Sequence, residues 1–337
     1  MSNITAMTRE LWDKTVYKQV LLKNILIHML LERKQVLKAG TAIKHTVDYA
    51  EMDSLVQEYG ENDTLTSGKK TVAETAQWYP KFVQLPIEIS GKDWRTNAGG
   101  GSGQMVSMPQ YLVEKAQRGL KIFMNSVIYR AGSVTRDADV AGVQGLNDAL
   151  THDIAYGGLP RLVATPTRSW WQGASLADTW ADQATAMTPS IANVRKMYDK
   201  VSMYADEADV IVVTSNTNYR SLQSQVDGRQ SYKPQGTHAK YGFESFCIDG
   251  IEVFAEPWLT ASQNSLASTT EDYFYMLHLK DWTFHVDADR GLGNLSEFKH
   301  QAEIQGGTDA YLARLMFRGN FVCTQPNASM FKSGVTM

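Results

Sequence analysis

The sequence predicts an α+β protein, and three patterns carry that prediction. The first is a long amphipathic helix that begins near Ser107. The second is a pair of segments, residues 43–49 and 83–89, in which apolar and polar side chains alternate with the period of a strand. The third is the apolar run Asp209–Thr214, which lies between two helix-like segments. Helices and strands thus occur in successive blocks along one chain, which predicts packed layers of both kinds.

Composition places the chain among folded proteins and disfavours several functional classes. Its 337 residues are 43% hydrophobic and 20% charged, which is ordinary for a folded chain of about two domains. The net charge of -3 disfavours a dedicated nucleic-acid reader, because such proteins carry a basic balance. Cys247 and Cys323 are too few for a disulfide scaffold and lack metal-ligand spacing. We therefore expect two buried thiols in a reducing compartment.

The N-terminal region is predicted to be one helix over residues 8–38, because Gly40 follows its end. Its richest apolar run, residues 20–31, is interrupted by Lys23 and Asn24 and is shorter than the ~20 apolar residues of a spanning helix. The first residues also lack the basic and then apolar segments of a secretory signal. We expect no secretion and no membrane association.

A polar stretch, YGENDTLTSGKKT at residues 59–71, separates the two alternating segments. Together the alternations predict a very long hairpin with a polar tip. Pro80 and Pro86 place its second strand at a sheet edge, since proline donates no ladder hydrogen bond. A hairpin of this kind is not stable alone in water, so a neighbouring copy is the natural partner surface.

The rest of the chain is predicted to mix helices and strands. A glycine-rich linker at 97–103 precedes a helix that starts with the capping pattern Ser107-x-x-Gln110 and ends near Arg130. The elements expected beyond it are a helix from Thr188, a strand at 209–214, a helix at 216–226, a polar loop at 227–241, a hairpin with Asp249-Gly250 as its turn, and strands at 273–279, 281–286, 297–305 and 310–323.

Charge is uneven at the start of the chain. Residues 1–40 contain seven basic and three acidic side chains, a net charge of +4, whereas residues 41–90 contain four basic and eight acidic ones, a net charge of -4. Segments of opposite sign can pair within one chain or between copies. The pattern is equally compatible with two solvated faces, because surface ion pairs contribute little each.

No motif assembles a reactive site. SGKKT at 67–71 resembles the end of a P-loop but lacks its glycine spacing and its following helix. None of the seven histidines has the spacing of a zinc site. Trp170 and Trp171 could stack on a ligand, but paired tryptophans are more often core or subunit-contact residues. We predict no catalytic residue, no metal and no cofactor, and a protein that is not an enzyme.

The order of the parts resembles a known family. The stretches that carry the resemblance are GLNDAL, YGGLPR, SWW, ADVIVVTSNTNYRSLQSQV, FCIDGIEVFAEPWL and LMFRGNFVCTQPNASM. Each is moderately specific, and their order after a basic arm, an extended loop, a glycine hinge and a long helix is what matters. Over nearly the whole chain this resembles the major capsid protein of tailed bacteriophages, the Hong Kong 97-type fold.

The resemblance implies an arm, a loop and two domains. These are an N-terminal arm at 1–42, an E-loop at 43–92, a peripheral domain at 93–145 with its spine helix at about 107–130, an axial domain at 146–280, the long strands of the peripheral domain at 281–325, and a C-terminal tail at 326–337. The candidate subunit-contact residues are Arg9, Lys14, Lys18, Glu58, Glu61, Lys69, Lys70, Trp78, Trp170, Trp171, Arg229 and Lys233.

The resemblance also implies an assembly function. The chain is expected to form hexamers and pentamers of an icosahedral shell that encloses double-stranded DNA without reading its sequence. Expected partners are a portal protein, a separate scaffolding protein and a decoration protein, with assembly in the bacterial host cytoplasm and a final place in the virion. Because Met1 lies directly at the arm, we expect an uncleaved chain. Lys69 and Lys70 lie where some relatives form isopeptide cross-links, with Asn294, Asn320 and Asn327 as candidate acceptors.

Two other functions stay open on the sequence. An encapsulin-like nanocompartment shares the fold but encloses cargo enzymes instead of DNA. A soluble α+β hydrolase predicts a compact particle near 37.6 kDa with clustered titratable groups, which the sequence does not offer. Sedimentation distinguishes a monomer from a shell, and nucleic-acid content distinguishes the two kinds of shell.

Overall fold

A computed structural model describes most of the chain. The described residues are 25–37, 40–61, 63–64, 67–97, 108–130, 132–133, 142–152, 154–161, 168–176, 187–205, 209–226, 245–259, 272–288, 294–300 and 309–335. Most of the predicted N-terminal arm, most of the glycine-rich linker and the polar loop at 227–241 lie outside them.

The described residues form six α-helices and thirteen strands. The helices are α1 (Ile25–Glu32), α2 (Gly91–Asn97), α3 (Met108–Tyr129), α4 (Leu146–Leu150), α5 (Ile191–Val201) and α6 (Asn216–Val226). The strands are β1 (Lys34–Leu37), β2 (Ile43–Asp48), β3 (Ala73–Trp78), β4 (Lys81–Ser90), β5 (Val210–Thr214), β6 (Ser245–Ile248), β7 (Ile251–Ala255), β8 (Asp272–His278), β9 (Trp282–Asp287), β10 (Asn294–Leu295), β11 (Lys299–His300), β12 (Ala310–Cys323) and β13 (Met330–Val335).

A five-stranded sheet has the order β13-β8-β5-β7-β6. The pair β5–β7 is parallel and the other pairs are antiparallel. Every residue of β5 is buried, which explains its continuous apolar run. Helices α5 and α6 pack apolar residues such as Met197 and Leu222 into the same core. The predicted hairpin turn is present, with Asp249 at φ 50° and Gly250 at φ 91°.

A six-stranded sheet has β9 and β12 at its centre. These two strands are antiparallel, with Gly319 opposite Val286 and Cys323 opposite Trp282. Strand β1 adds to β9 in parallel, and β4, β10 and β11 pair with β12. Among the described strands β4 pairs with β12 alone, so its proline, Pro86, lies on an edge strand, as predicted, whereas Pro80 lies just before the strand.

The β2–β3 hairpin is the third sheet, and its pairing corrects the sequence prediction. Ile43 lies opposite Trp78 and Asp48 lies opposite Ala73. The alternating segment 83–89 was predicted as the hairpin's second strand, but it forms β4 in the six-stranded sheet. Strand β3, AETAQW, buries only Ala76 and Trp78 fully, so it lacks the alternation that would have revealed it.

Three other predicted elements differ from the structure. The helix predicted to reach residue 38 ends at Glu32, because the next residues pair with β9. The predicted C-terminal tail contains β13, a strand whose Met330 is 1% exposed. In the described part of the predicted 297–305 strand, only the two-residue β11 is present.

The chain divides into two compact units. One contains the described residues within 84–122 and 295–315, and the other contains those within 24–83, 123–294 and 316–337. In the first, Trp94 stacks on Tyr311 with ring centroids 4.5 Å apart. The predicted long helix is α3, within one residue of its expected ends. The expected bounds of the arm, the E-loop and the peripheral and axial domains stay predictions.

Candidate functional site at the hairpin root

The root of the β2–β3 hairpin is a cluster of aromatic side chains within the larger unit. Trp78, the last residue of β3, is fully buried. Its ring meets Tyr156 edge-on with centroids 5.6 Å apart and lies 6.2 Å from the ring of Trp171. The indole Nε1 of Trp171 donates a 2.8 Å hydrogen bond to the carbonyl oxygen of Tyr156. The hairpin root therefore has a core supplied by its own chain.

The backbone of the YGGLPR segment reaches the hairpin directly. The amide of Gln77 donates a 2.8 Å hydrogen bond to the carbonyl of Gly157. Gly157 has φ +62°, and a Cβ atom there would lie 3.0 Å from the ring of Trp78. Glycine is required at this position, because both the left-handed backbone and the close approach of the indole disfavour a side chain.

Arg161 joins the GLNDAL and YGGLPR segments into one unit. Its side chain is buried, and its guanidinium donates hydrogen bonds of 2.6 to 2.8 Å to the carbonyls of Asp148, Ala149 and Ile154. Asp148 and Ala149 lie at the end of α4, where helical carbonyls lack intrahelical partners. The same guanidinium lies over the ring of Tyr156 at 5.2 Å. A buried arginine thus caps a short helix and supports the aromatic cluster.

The segment around SWW, residues 168–171, makes two further contacts with the hairpin. The guanidinium of Arg168 donates hydrogen bonds of 2.7 and 3.2 Å to the two carboxylate oxygens of Glu74 on β3. The hydrogen bond to Glu74 raises the pKa of Arg168, against the opposing effect of burial. Trp170 stacks on Tyr49 with centroids 4.5 Å apart and an interplanar angle of 10°. Both contacts fix the hairpin just above its buried root.

The hairpin tip has its own polar contacts. The ammonium of Lys70 donates a 2.7 Å hydrogen bond to the carbonyl of Glu51 and lies 3.3 Å from a carboxylate oxygen of Asp53. The backbone amide of Ser54 and then Lys70 lower the pKa of Asp53. Lys70 thus joins the two sides of the segment that connects β2 with β3.

The tip also exposes apolar side chains. The exposed fractions are 57% for Met52, 78% for Val56 and 70% for Tyr59. Several apolar residues within one short segment form a surface that favours contact with another molecule. Of these three residues only Tyr59 lies in the stretch 59–71 that was predicted to be polar, and the exposed apolar surface was not predicted, because its residues are scattered among acidic ones.

The predicted subunit-contact residues fall into four groups, of which the fourth is the buried pair Trp78 and Trp171. Glu58, Glu61 and Lys69 are exposed on the tip, and Lys70 is bound within it. Trp170 is half-buried against Tyr49. The residues outside the described part of the chain are Arg9, Lys14, Lys18, Arg229 and Lys233.

Trp78 and Trp171 require a correction. They are 0% and 1% exposed, so neither side chain has surface left for a neighbouring copy. Any effect of these two residues on a neighbouring copy is indirect, because they fix the position of the β2–β3 hairpin.

Asn320 is a poor cross-link acceptor. Its side chain is fully buried, and its amide nitrogen donates to the carbonyl of Tyr79 at 3.1 Å and to Oε1 of Gln144 at 2.7 Å. Its Oδ1 accepts a 3.0 Å hydrogen bond from the amide of Gln144. A lysine would have to displace all three contacts to reach this carboxamide.

The two thiols are not activated. Burial raises the pKa of Cys323 well above its ordinary value, so the thiol stays protonated. Cys247 is half-buried rather than buried as predicted, and burial, then Glu252, raises its pKa. Within the described residues, no group of three or more histidine, cysteine or acidic side chains is arranged to hold a metal ion. No helix in the described ranges is long and apolar enough to cross a membrane.

Solved structures match the chain over its whole length, although no protein-family model and no curated protein matches it. The capsid protein of cyanophage A-1(L) is 15% identical, with a TM-score of 0.70 and 100% of both chains covered. The chain has the Hong Kong 97-type capsid fold. The capsid protein of Myoviridae phage XM1 has this fold with 11% identity, a TM-score of 0.58 and 97% of both chains covered.

An encapsulin is also among the solved structures that match this chain. The encapsulin of the holo-SrpI complex from Synechococcus elongatus PCC 7942 is 9% identical, with a TM-score of 0.55, and the match covers 99% of this chain and 96% of that one. The fold is therefore common to both kinds of shell that the sequence left open.

Proposed function

We propose that this chain is the major capsid protein of a tailed phage and forms hexamers and pentamers of an icosahedral shell around double-stranded DNA. The observation that carries the proposal is the similarity to the cyanophage A-1(L) capsid protein over 100% of both chains, with a TM-score of 0.70. The role is structural, without a catalytic step.

The hairpin supports this proposal physically. Its root is anchored within the chain by Trp78 and Arg168, while its tip leaves Val56 and Tyr59 exposed. A hairpin with a fixed root and exposed apolar side chains at its tip is suited to contact a second molecule. In a shell, the second molecule is a neighbouring copy, and each contact is repeated around the capsomer.

The proposal extends to the parts of the chain. Residues 1–42 are the N-terminal arm, 43–92 the E-loop, 93–145 and 281–325 the peripheral domain, and 146–280 the axial domain. The shell encloses DNA without reading its sequence, so a net charge of -3 is compatible with the role. A portal protein, a scaffolding protein and a decoration protein are the proposed partners, with assembly in the bacterial cytoplasm and a final place in the virion.

The encapsulin-like shell is the second candidate. The match to the Synechococcus elongatus encapsulin over 99% of this chain favours it, with a lower TM-score of 0.55. Such a shell would enclose protein cargo rather than a genome.

Sedimentation of the purified full-length chain tests both proposals. Megadalton particles that are icosahedral in electron micrographs support a shell protein, whereas a species near 37.6 kDa under every assembly condition contradicts it. Particles recovered from infected or induced cells are then analysed for content. Nuclease-protected double-stranded DNA supports the phage capsid, and protein cargo without DNA supports the encapsulin.

A further inference from the structure

Two histidines meet where the hairpin root lies against the six-stranded sheet. His45 is on β2 and His285 is on β9, and their ring centroids are 6.2 Å apart. Trp78 on β3 meets His45 edge-on with centroids 5.6 Å apart. His285 is 3% exposed and His45 is half-buried. The contact therefore joins the hairpin to the sheet through two ionisable rings, one buried and one half-buried.

The hydrogen bonds at this contact suit neutral rings. Nε2 of His285 lies 3.1 Å from Oγ1 of Thr283. Nδ1 of His285, Nε2 of His45 and Nε1 of Trp78 are buried and have no hydrogen-bond partner among the described residues. A neutral imidazole has one N–H donor, whereas a protonated one has two that require acceptors. Protonation would therefore add buried donors at a place that already has unpaired polar atoms.

The charged side chains on the surrounding strands are engaged elsewhere or exposed. Glu74 on β3 is paired with Arg168, and Asp287 on β9 is paired with Arg318 on β12. The exposed charged residues of β1 and β2 are Lys34, Lys44 and Asp48. The residue opposite His285 on β12 is the neutral Asn320, which is bound to Gln144 and Tyr79.

Both rings accordingly resist protonation in the folded chain. Burial, and then the neighbouring His45, lowers the pKa of His285 to about 4. Burial also lowers the pKa of His45. When the hairpin root lifts off the sheet, both rings meet water and their pKa values return toward the ordinary value of about 6.5.

We propose that the His45–His285 contact is an acid-sensitive latch, which holds the hairpin root on the sheet at neutral pH and releases it when the rings are protonated. The released state binds protons below about pH 6.5, whereas the closed state excludes them until about pH 4. The closed state is thus fully favoured above pH 6.5 and loses its advantage as the pH falls through this window. For His285 alone, the ratio of closed to open hairpin falls about thirtyfold between pH 7.5 and pH 5.

Hydrogen–deuterium exchange of the full-length chain at pH 7.5 and pH 5 tests the latch, after correction for intrinsic exchange. We expect amide protection in β2 and β3 to fall about thirtyfold at pH 5, while the buried strand β5 keeps its protection. A double variant, His45→Gln with His285→Gln, removes both titrating rings and is expected to lose this pH dependence. His300→Gln, at an exposed ion pair with Asp309 in the smaller unit, is the matched control and is expected to behave like the unmodified chain.

Equal protection of β2 and β3 at both pH values would overturn the proposal, as would the same fall in the double variant. If the double variant does not fold, carbon-13 NMR of the histidine rings in the unmodified chain decides the question. A titration midpoint for His285 near 4 supports the latch, and a midpoint near 6.5 refutes it.

Discussion

Arg168 holds Glu74 through two hydrogen bonds, of 2.7 and 3.2 Å, that join the loop before Trp170 to strand β3. The two side chains are 24% and 29% exposed, so the pair is partly shielded from solvent. The planar guanidinium matches both carboxylate oxygens at once, which the single ammonium of a lysine does not. The hairpin is thus held by this partly exposed ion pair and by the fully buried side chain of Trp78.

Replacement of Arg168 by lysine should weaken the hairpin root. We expect Arg168→Lys to lower the free energy of unfolding by about 1 kcal/mol, because one of the two hydrogen bonds is lost from a partly shielded pair. Urea denaturation measures the change. Arg195→Lys is the control, since its pair with Asp249 has the same paired geometry but side chains 60% and 45% exposed. A loss at Arg195 as large as that at Arg168 would contradict the role of burial.

Truncation of Trp78 should have a larger effect. The indole is fully buried between Tyr156 and Trp171, so Trp78→Ala leaves a cavity and should lower the free energy of unfolding by about 3 to 5 kcal/mol. Phe82→Ala removes a ring that is 61% exposed and should cost less than about 1 kcal/mol. Thermal unfolding of both variants checks the comparison. Similar losses for the two would show that Trp78 is not the centre of the root.

The sequence predicted correctly those elements whose own residues carry a clear pattern. The capping signal and apolar stripe predicted α3, the continuous apolar run predicted β5, and Asp249-Gly250 predicted its turn. Strand β1 was predicted as helix because its form depends on pairing with β9, which residues 34–37 do not encode by themselves. Strand β3 was missed for a similar reason, since it is held by distant side chains rather than by its own alternation.

The candidate site was only partly visible in the sequence. Trp78 and Trp171 were singled out, but as candidate subunit-contact residues, because the sequence does not show whether an indole is covered by its own chain or by a neighbouring copy. Arg161 and Arg168 were not singled out at all, although the first lies in YGGLPR. No sequence signal marks either arginine, because each binds oxygen atoms that only the fold brings near it.

Two glycines should respond to alanine in opposite directions. At Gly145 a Cβ atom would lie 2.5 Å from the carbonyl oxygen of Val127 and 2.7 Å from that of Ile128, and backbone cannot move aside easily. We expect Gly145→Ala to lower the free energy of unfolding by about 3 kcal/mol. At Gly119, inside α3, a Cβ atom would make an ordinary 3.5 Å contact with Leu85, so Gly119→Ala should raise stability by about 0.5 to 1 kcal/mol. Urea denaturation gives both values, and a loss at Gly119 would refute the second.

The two adjacent lysines of the tip should differ in effect. Lys70 binds the Glu51 carbonyl and Asp53 within the tip, whereas Lys69 is exposed. Lys70→Met should therefore speed amide exchange across residues 51–56, and Lys69→Met should leave it unchanged. Hydrogen–deuterium exchange of free subunits measures the difference. Equal rates in the two variants would show that Lys70 does not order the tip.

The exposed apolar side chains of the tip should matter for assembly and not for folding. The double variant Val56→Ser with Tyr59→Ser removes apolar surface that is 78% and 70% exposed, so its free energy of unfolding as a monomer should change by less than about 0.5 kcal/mol. Under the proposed shell function, each lost contact is repeated in every copy, so the yield of sedimenting particles should fall severalfold. Thr64→Ala changes an exposed polar residue of the same tip and should assemble normally. Normal particle yield from the double variant would show that these side chains do not contact a neighbour, and a large loss of monomer stability would show that they are packed within the chain.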